Sequence, residues 1–379
     1  MRRADVVVVG AGVIGSACAY RIARSGANVI LVDRAAPGGG ASDTSAGGIR
    51  QQNRDRRELL LAVYAIRLWT SLESELSADV RYRRSGHITL AEAEPEVDTL
   101  RSSVEQQRSD GLDIALLDAD ELRDVAPGLG PTVLAGSYCP TDGHADPART
   151  TRAFVRGAKR AGASVLNECR VSGVSVEGGR VVGLETTRGA IACDRVVNAA
   201  GAWGGRLAAM AGVELPITGR ALQMSRTAPV PRALGPVLGS LHRPLSLKQT
   251  PDGSFLIGGG RPGRMDIERF TASAARPEVV RAREDAIAVL PAVRGARLRS
   301  WWAGLEAFTS DGIPVIGPLP GVDGIIAAVG FSGHGFALAP AVGVIVERLL
   351  AGSTPPVEVD AFAAERLATP VDGAMAAAR

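Results

Sequence analysis

Lysine is almost missing from this chain. Of 379 residues 43 are Lys or Arg, and only Lys159 and Lys248 are lysine. The arginines are spread along the chain against 40 Asp and Glu, for a formal charge of +3, so no basic block marks a nucleic-acid surface. Cysteine is as sparse. Cys18, Cys139, Cys169 and Cys193 stand far apart, with no CxxC and no paired histidines. That pattern excludes a disulfide-stapled scaffold and offers no metal-ligand spacing, so no metal is expected and the thiols read as buried and free in a reducing compartment. No secretion signal is visible either: Met1-Arg2-Arg3-Ala4-Asp5 runs straight into Val6-Val7-Val8-Val9 and a glycine turn. The longest apolar stretch, 324–350, is interrupted by Ser332-Gly333-His334-Gly335 and by Pro340, which predicts strand, loop and helix in place of a membrane span. A cytoplasmic protein is expected.

What is present is ordinary globular material, 46% hydrophobic and 22% charged, with 46 glycines. At about 100–200 residues per domain the length predicts two or three domains with a deep site between them. The β-branched run 6–9 suits a parallel strand buried on both faces. It leads into Gly10-Ala11-Gly12-Val13-Ile14-Gly15, a helix over 16–25 and a second buried strand over 28–32 that ends on Asp33. That is one βαβ unit.

Apolar residues at helical spacing (Leu59, Val63, Ile66, Trp69, Leu72, Leu76) predict a long amphipathic helix over 57–76. Asp146-Pro147 opens another, as N-cap and first-turn proline. Strands are expected over 88–90, 164–166, 171–176, 181–186 and 195–198. After Leu215-Pro216 an antiparallel sheet is expected (222–224, 245–249, 255–257), with Pro251-Asp252-Gly253 as a turn. A strand over 325–329 and a helix over 339–350 close the fold. No internal repeat is visible. The expected class is α/β: a discontinuous Rossmann-type domain (1–80, 141–214, 303–360), a smaller antiparallel α+β substrate domain (81–140, 215–302) and a tail (361–379).

The glycine turn follows a buried strand and opens a helix, the context in which GxGxxG cradles a pyrophosphate on free helix N–H groups. Asp33, at the end of the next strand, is placed to accept hydrogen bonds from an adenosine ribose, with Arg34 beside it. NAD and FAD share this first step. Four further segments carry a resemblance that separates them: Gly40-Ala41-Ser42-Asp43-Thr44-Ser45-Ala46-Gly47-Gly48-Ile49-Arg50; Val196-Val197-Asn198-Ala199-Ala200-Gly201-Ala202-Trp203; Ala303-Gly304-Leu305-Glu306 with Thr309-Ser310-Asp311-Gly312-Ile313-Pro314-Val315-Ile316-Gly317; and Gly330-Phe331-Ser332-Gly333-His334-Gly335-Phe336. In this order, over nearly the whole chain, they resemble the flavin amine and amino-acid oxidases, a family that includes D-amino acid oxidase, glycine oxidase, monomeric sarcosine oxidase and the β subunits of heteromeric sarcosine and proline dehydrogenases.

The resemblance implies FAD and an amine or amino-acid substrate whose C–N bond is oxidised to an imine by formal hydride transfer to flavin N5, with oxygen the expected acceptor. Gly10, Gly12, Val13, Ile14, Gly15, Asp33, Arg34, Ser42, Ser45, Ala46, Gly47, Gly48, Val171, Ala200, Gly201, Trp203, Gly304, Gly330, Gly333, His334 and Gly335 are the expected cofactor contacts. Val171 matches a residue that contacts the adenine through its backbone. The cysteine that attaches flavin in monomeric sarcosine oxidase falls in the segment matching 302–309, which has none here, so FAD is expected without a covalent bond.

Four residues are candidates for catalysis or substrate binding. Glu306 stands where glycine oxidase has a carboxylate-binding arginine, and Ala337 where monomeric sarcosine oxidase has a lysine, so the substrate must be held differently. Arg50 is the expected carboxylate anchor, the alternative being a solvated residue beside Arg54, Arg56 and Arg57. Glu306 either accepts a substrate ammonium, favouring secondary, cyclic or larger amino acids, or forms an ordinary ion pair. Lys248 either lies over the flavin or is an exposed strand lysine. His334 either serves the reduced flavin or substrate or is structural. Two rivals remain: a subunit of a hetero-oligomer passing electrons to a partner or quinone, and a non-catalytic flavin-binding relay. An NAD-dependent dehydrogenase is a third reading. A homo- or hetero-oligomer fits the sequence equally.

Overall fold

A computed structural model describes residues 2–367. The opening run forms the strand Arg2–Val9, buried on both faces over its last four residues. It pairs in parallel with Val29–Val32 on one side and Ile191–Asn198 on the other. The sheet continues to Ser164–Leu166 at one edge and, through Ile325–Val329, to the antiparallel Val315–Pro318 at the other. A hairpin, Val171–Glu177 with Arg180–Thr186, branches from Ile191–Asn198.

Four helices share the core on one face of this sheet: Val13–Arg24, Arg56–Leu76, Pro147–Arg160 and Gly335–Leu350. Leu59, Ala62, Ile66, Trp69, Leu72 and Leu76 bury one stripe of the Arg56–Leu76 helix, whose Asp55 cap accepts a hydrogen bond from Arg57 N. Trp69 ties that helix to the last one. Its indole Nε1 donates to Ala337 O at 2.8 Å, and its ring lies 5.2 Å from that of Phe336.

A second sheet of eight strands runs in the order Leu298–Phe308, Thr218–Thr227, Phe255–Gly258, Ser246–Gln249, Val237–Ser240, His87–Ala91, Ala135–Cys139, Ala115–Asp118. It is antiparallel except where Val237–Ser240 runs parallel to His87–Ala91. The helices Ala119–Val125 and Arg276–Val289 pack against it.

Three details differ from the sequence expectation. The expected boundary between 302 and 303 falls inside Leu298–Phe308, which is continuous and pairs along its length with Thr218–Thr227, so the second sheet reaches Phe308. The last helix starts at Gly335, not 339. Pro340 lies within it and forfeits one backbone bond, a loss the packed core around it tolerates. Phe362 and Ala364 are buried, so the chain joins the core beyond 360; of the expected tail, residues 368–379 lie outside the described residues. The four cysteines are free and buried, and no described helix is long and apolar enough to cross a membrane.

Candidate functional site

The turn between Arg2–Val9 and Val13–Arg24 brings three backbones into close contact. Gly10 has φ +105°, a conformation costly for any residue with a side chain, and a Cβ there would overlap the carbonyl oxygen of Ala199. A Cβ on Gly15 would overlap the carbonyl oxygen of Gly10. The two glycines therefore seat the helix directly on the strand ends and leave its N-terminus open to a cavity of about 510 Å³. Asp33 fixes the turn from below: one carboxylate oxygen accepts from Ala11 N at 2.6 Å, the other from Ala35 N at 2.7 Å. Burial pushes its pKa up, and the two N–H groups oppose that. Ser42 Oγ accepts from Val13 N at 2.8 Å, which locks the 40–48 loop over the helix N-terminus.

The cavity is lined by Gly10, Gly12, Val13, Ile14, Asp33, Arg34, Ser42, Ser45, Val171, Ala200, Gly201, Trp203, Met210, Glu306, Gly330, Phe331, Gly333 and Gly335. Arg34 packs over the rings of Trp203 and Phe270. Backbone N–H groups, a carboxylate after the second strand and a glycine-rich wall fit a dinucleotide such as FAD.

Six expected contacts are not on this wall. Gly15 acts beneath the turn. Ala46, Gly47 and Gly48 shape the loop: Gly48 pairs with His144, and a Cβ on Gly47 would overlap Ala145 O. Gly304 lets the Leu298–Phe308 strand press on Thr44, whose hydroxyl a Cβ would overlap, while Trp302 Nε1 donates to Thr44 O at 3.0 Å. His334 is the sixth, with its neighbours Gly333 and Gly335 lining the cavity instead.

Of the four catalytic candidates only Glu306 is on the wall. It has no ion-pair partner among the described residues, so the expected alternative of an ordinary ion pair is not formed, and burial pushes its pKa up to about 7. Arg50 is half-buried and does not line the cavity. Its Nη1 donates to Gln52 O at 2.9 Å, and its own carbonyl accepts from Arg54 Nε and Nη2 at 3.1 and 2.9 Å, so one arm of the guanidinium is held by its own loop. Lys248 is not an exposed strand lysine: it is 5% exposed, and Nζ donates to Ala145 O at 3.3 Å. Burial lowers its pKa to about 8. It too is off the wall.

His334 caps the last helix and turns toward the Arg56–Leu76 helix. Its Nδ1 lies 2.9 Å from Oε2 of Glu58, a fully buried carboxylate paired with Arg54 at 3.1 Å. Burial and the nearby Arg54 charge lower the His334 pKa to about 4 against the pull of Glu58. Glu58 is itself held below its ordinary value, because His334 and Arg54 outweigh its burial. At neutral pH the group is thus a neutral imidazole beside an ionised Glu58–Arg54 pair. Sequence reasoning missed this pair; an acid and a base four residues apart at a helix start were its only signal.

The model of the family described as FAD dependent oxidoreductase (DAO) matches residues 5–349. The chain belongs to that family. It is 27% identical to hydrogen cyanide synthase subunit HcnC of Pseudomonas aeruginosa, with 96% of each chain covered. Among solved structures it is similar to glycine oxidase from Geobacillus kaustophilus (25% identity, TM-score 0.90, 96% of this chain and 98% of that one). L-proline dehydrogenase from P. horikoshii is similar as well (31% identity, TM-score 0.87, the same coverage). In this member of the FAD dependent oxidoreductases an acid, Glu306, lies on the wall of the cavity that the glycine turn opens onto.

Proposed function

We propose that the chain oxidises the C–N bond of an amine or amino acid, preferring a secondary, cyclic or larger amino acid to glycine. One observation carries the reading: Glu306 is a half-buried carboxyl on the cavity wall with no ion-pair partner among the described residues, where a cationic nitrogen is its natural partner. FAD, when bound, supplies the acceptor for the hydrogen and electron pair leaving the carbon next to nitrogen. The N–H groups at the start of Val13–Arg24 and the Ser42 hydroxyl hold its pyrophosphate, and Asp33 its ribose. No cysteine stands in 302–309, which supports attachment without a covalent bond.

The residues of this chain have to bind the substrate and set its protonation. An amine arrives as an ammonium and must lose a proton before its carbon can give up hydrogen. A carboxyl titrating at about 7 binds the ammonium and takes that proton on a carboxylate oxygen near neutral pH. Glycine oxidase and proline dehydrogenase relatives support an amino-acid substrate. A cytoplasmic location, with oxygen as acceptor, belongs to the same reading. A second reading is favoured by the relative that is a synthase subunit: the chain as one subunit of a hetero-oligomer, passing electrons to a partner.

Anaerobic mixing of the yellow protein with a panel of primary, N-methyl and cyclic amino acids and simple amines tests the proposal. Loss of flavin colour is expected to be faster with cyclic or N-alkyl substrates than with glycine. A panel that leaves the flavin oxidised, or a clear preference for glycine, refutes it. Remixing the bleached protein with oxygen separates the acceptors, since an oxidase regains its colour rapidly.

A further inference from the structure

A second cavity, of about 370 Å³, lies apart from the cofactor site and is lined by Arg83, Arg84, Ser85, His144, Arg232 and Pro251. Three arginines at exposed positions line it and no acid does; Arg83 Nη1 donates to Tyr82 O at 2.8 Å. None of the three has an ion-pair partner within 4 Å among the described residues, although most neighbouring acids do have partners. Asp79 pairs with Arg149 and Asp252 with Arg226. Asp142 accepts from Gln51 N at 2.8 Å, and Asp146 caps a helix through Arg149 N.

The cavity is also built. Arg83 and His144 are locked together by reciprocal backbone bonds of 2.8 and 3.0 Å. Arg232 sits on a loop fixed by Gln249, which is 1% exposed. The Gln249 side-chain oxygen accepts from Ala233 N and Leu234 N at 2.8 and 3.1 Å, and its amide donates to Pro231 O at 3.0 Å. Two polar groups on the wall lack partners among the described residues. Ser85 Oγ is buried with no hydrogen bond. The His144 imidazole, 5% exposed, makes none from its ring. Burial and the positive charges of Lys248, Arg232 and Arg83 hold His144 neutral, at about 3, so it adds an N–H donor and no charge.

We propose that this cavity binds the dianionic phosphate group of a small phosphomonoester. Guanidinium forks pair with phosphate oxygens bidentately. The Ser85 hydroxyl and the His144 imidazole N–H add neutral donors to the guanidiniums, and the three acceptor oxygens of a phosphate group can use more donors than the two of a carboxylate. Three uncompensated positive charges call for a dianion, and the volume exceeds what phosphate alone fills.

The test is calorimetric titration of the FAD-loaded protein, in ~0.15 M salt where exposed charges are screened, with phenyl phosphate, inorganic phosphate and succinate. Phenyl phosphate is expected to bind, and R84Q and R232Q, both at exposed positions, each to weaken it about tenfold or more. S85A should weaken it by a smaller factor, with the flavin spectrum and melting temperature unchanged throughout. Tighter binding of phenyl phosphate than of inorganic phosphate assigns the site to an ester, and equal binding to free phosphate; both keep the phosphate site. Succinate binding as well as phosphate, no binding of either phosphate, or variants that bind like the wild type overturn it. The outcome is independent of the amine-oxidation reading, since neither the ligand nor the variants touch the first cavity.

Discussion

Replacing Glu306 by Gln should stabilise the flavin-free protein, and only at higher pH. In the folded chain burial moves this carboxyl from 4.5 to about 7. Between those values the folded state keeps a proton that the unfolded state has lost, so stability falls as pH rises through the window. The rise corresponds to a penalty of about 3 kcal/mol that is complete by pH 8, about 1 kcal/mol at pH 5.5, and absent near pH 4. Gln has the same shape and no charge, so E306Q removes the penalty. Urea titrations of flavin-free wild type and E306Q at pH 5.5 and pH 8 read the difference. Other shifted groups, such as His334 and Asp142, are common to both proteins and cancel. A gain for E306Q at pH 8 that shrinks at pH 5.5 is the expected result. Equal stability at pH 8, or a gain of the same size at both pH values, would show that Glu306 is solvated or paired and would remove the basis for its role in holding an ammonium. A stabilising change that also slows substrate-driven bleaching is the signature of a residue kept for function at a cost in stability.

Asp33→Ala deletes a carboxylate that holds both the glycine turn and the place for a ribose, and it should weaken FAD binding by about 1.5–3 kcal/mol. Flavin fluorescence titration measures this, and an unchanged affinity contradicts the assignment. Gly304→Ala drives a methyl into the Thr44 hydroxyl and Cβ and should cost about 1–3 kcal/mol of packing, seen as lost flavin content; T44G in the same chain removes both atoms and should recover part of it, and no recovery sinks the explanation. Glu58→Gln leaves Arg54 buried without its counter-charge and should lower stability by about 3–5 kcal/mol. A melting temperature within a few degrees of wild type would mean that water already compensates Arg54. Acid precipitation should leave the yellow colour in solution, and a pellet that retains it would mean a covalent bond.

The parts of the molecule readable from sequence are those where one local rule decides the outcome. A valine run ending in glycines has few alternatives to a buried strand and a tight turn. Asp146-Pro147 caps a helix in the chain as it does on paper, and Asp146 accepts from Arg149 N. The Leu298–Phe308 strand was harder to see. Its outer half (Leu298, Arg299, Ser300, Trp301, Trp302) lies at the open edge of the second sheet and is exposed or half-buried, so it lacks the alternation that the buried half, Ala303, Leu305 and Ala307, shows clearly. The dinucleotide cradle was legible because close approach demands glycine. The supporting glycines were legible as glycines but not as supports, because sequence alone does not tell a residue that faces a ligand from one that lets two backbones meet.

The polar candidates illustrate the same limit from the other side. Arg50, Lys248 and His334 have chemistry that suits a substrate or a flavin, yet each lies against a group of its own loop or one distant in sequence: Gln52 O, Ala145 O and the Glu58 carboxylate. Desolvation explains the pattern. A buried cation or imidazole is costly unless a partner is supplied, so folding draws these side chains toward carbonyls and carboxylates wherever the chain offers them. A group left without such a partner on the wall of a cavity is the exception, and its desolvation cost persists until a ligand arrives. Glu306, half-buried on the wall of the first cavity and without an ion-pair partner among the described residues, is an exception of this kind. On the two walls, an acid without an ion-pair partner among the described residues in the first cavity suits a cation, and three arginines without one in the second suit an anion.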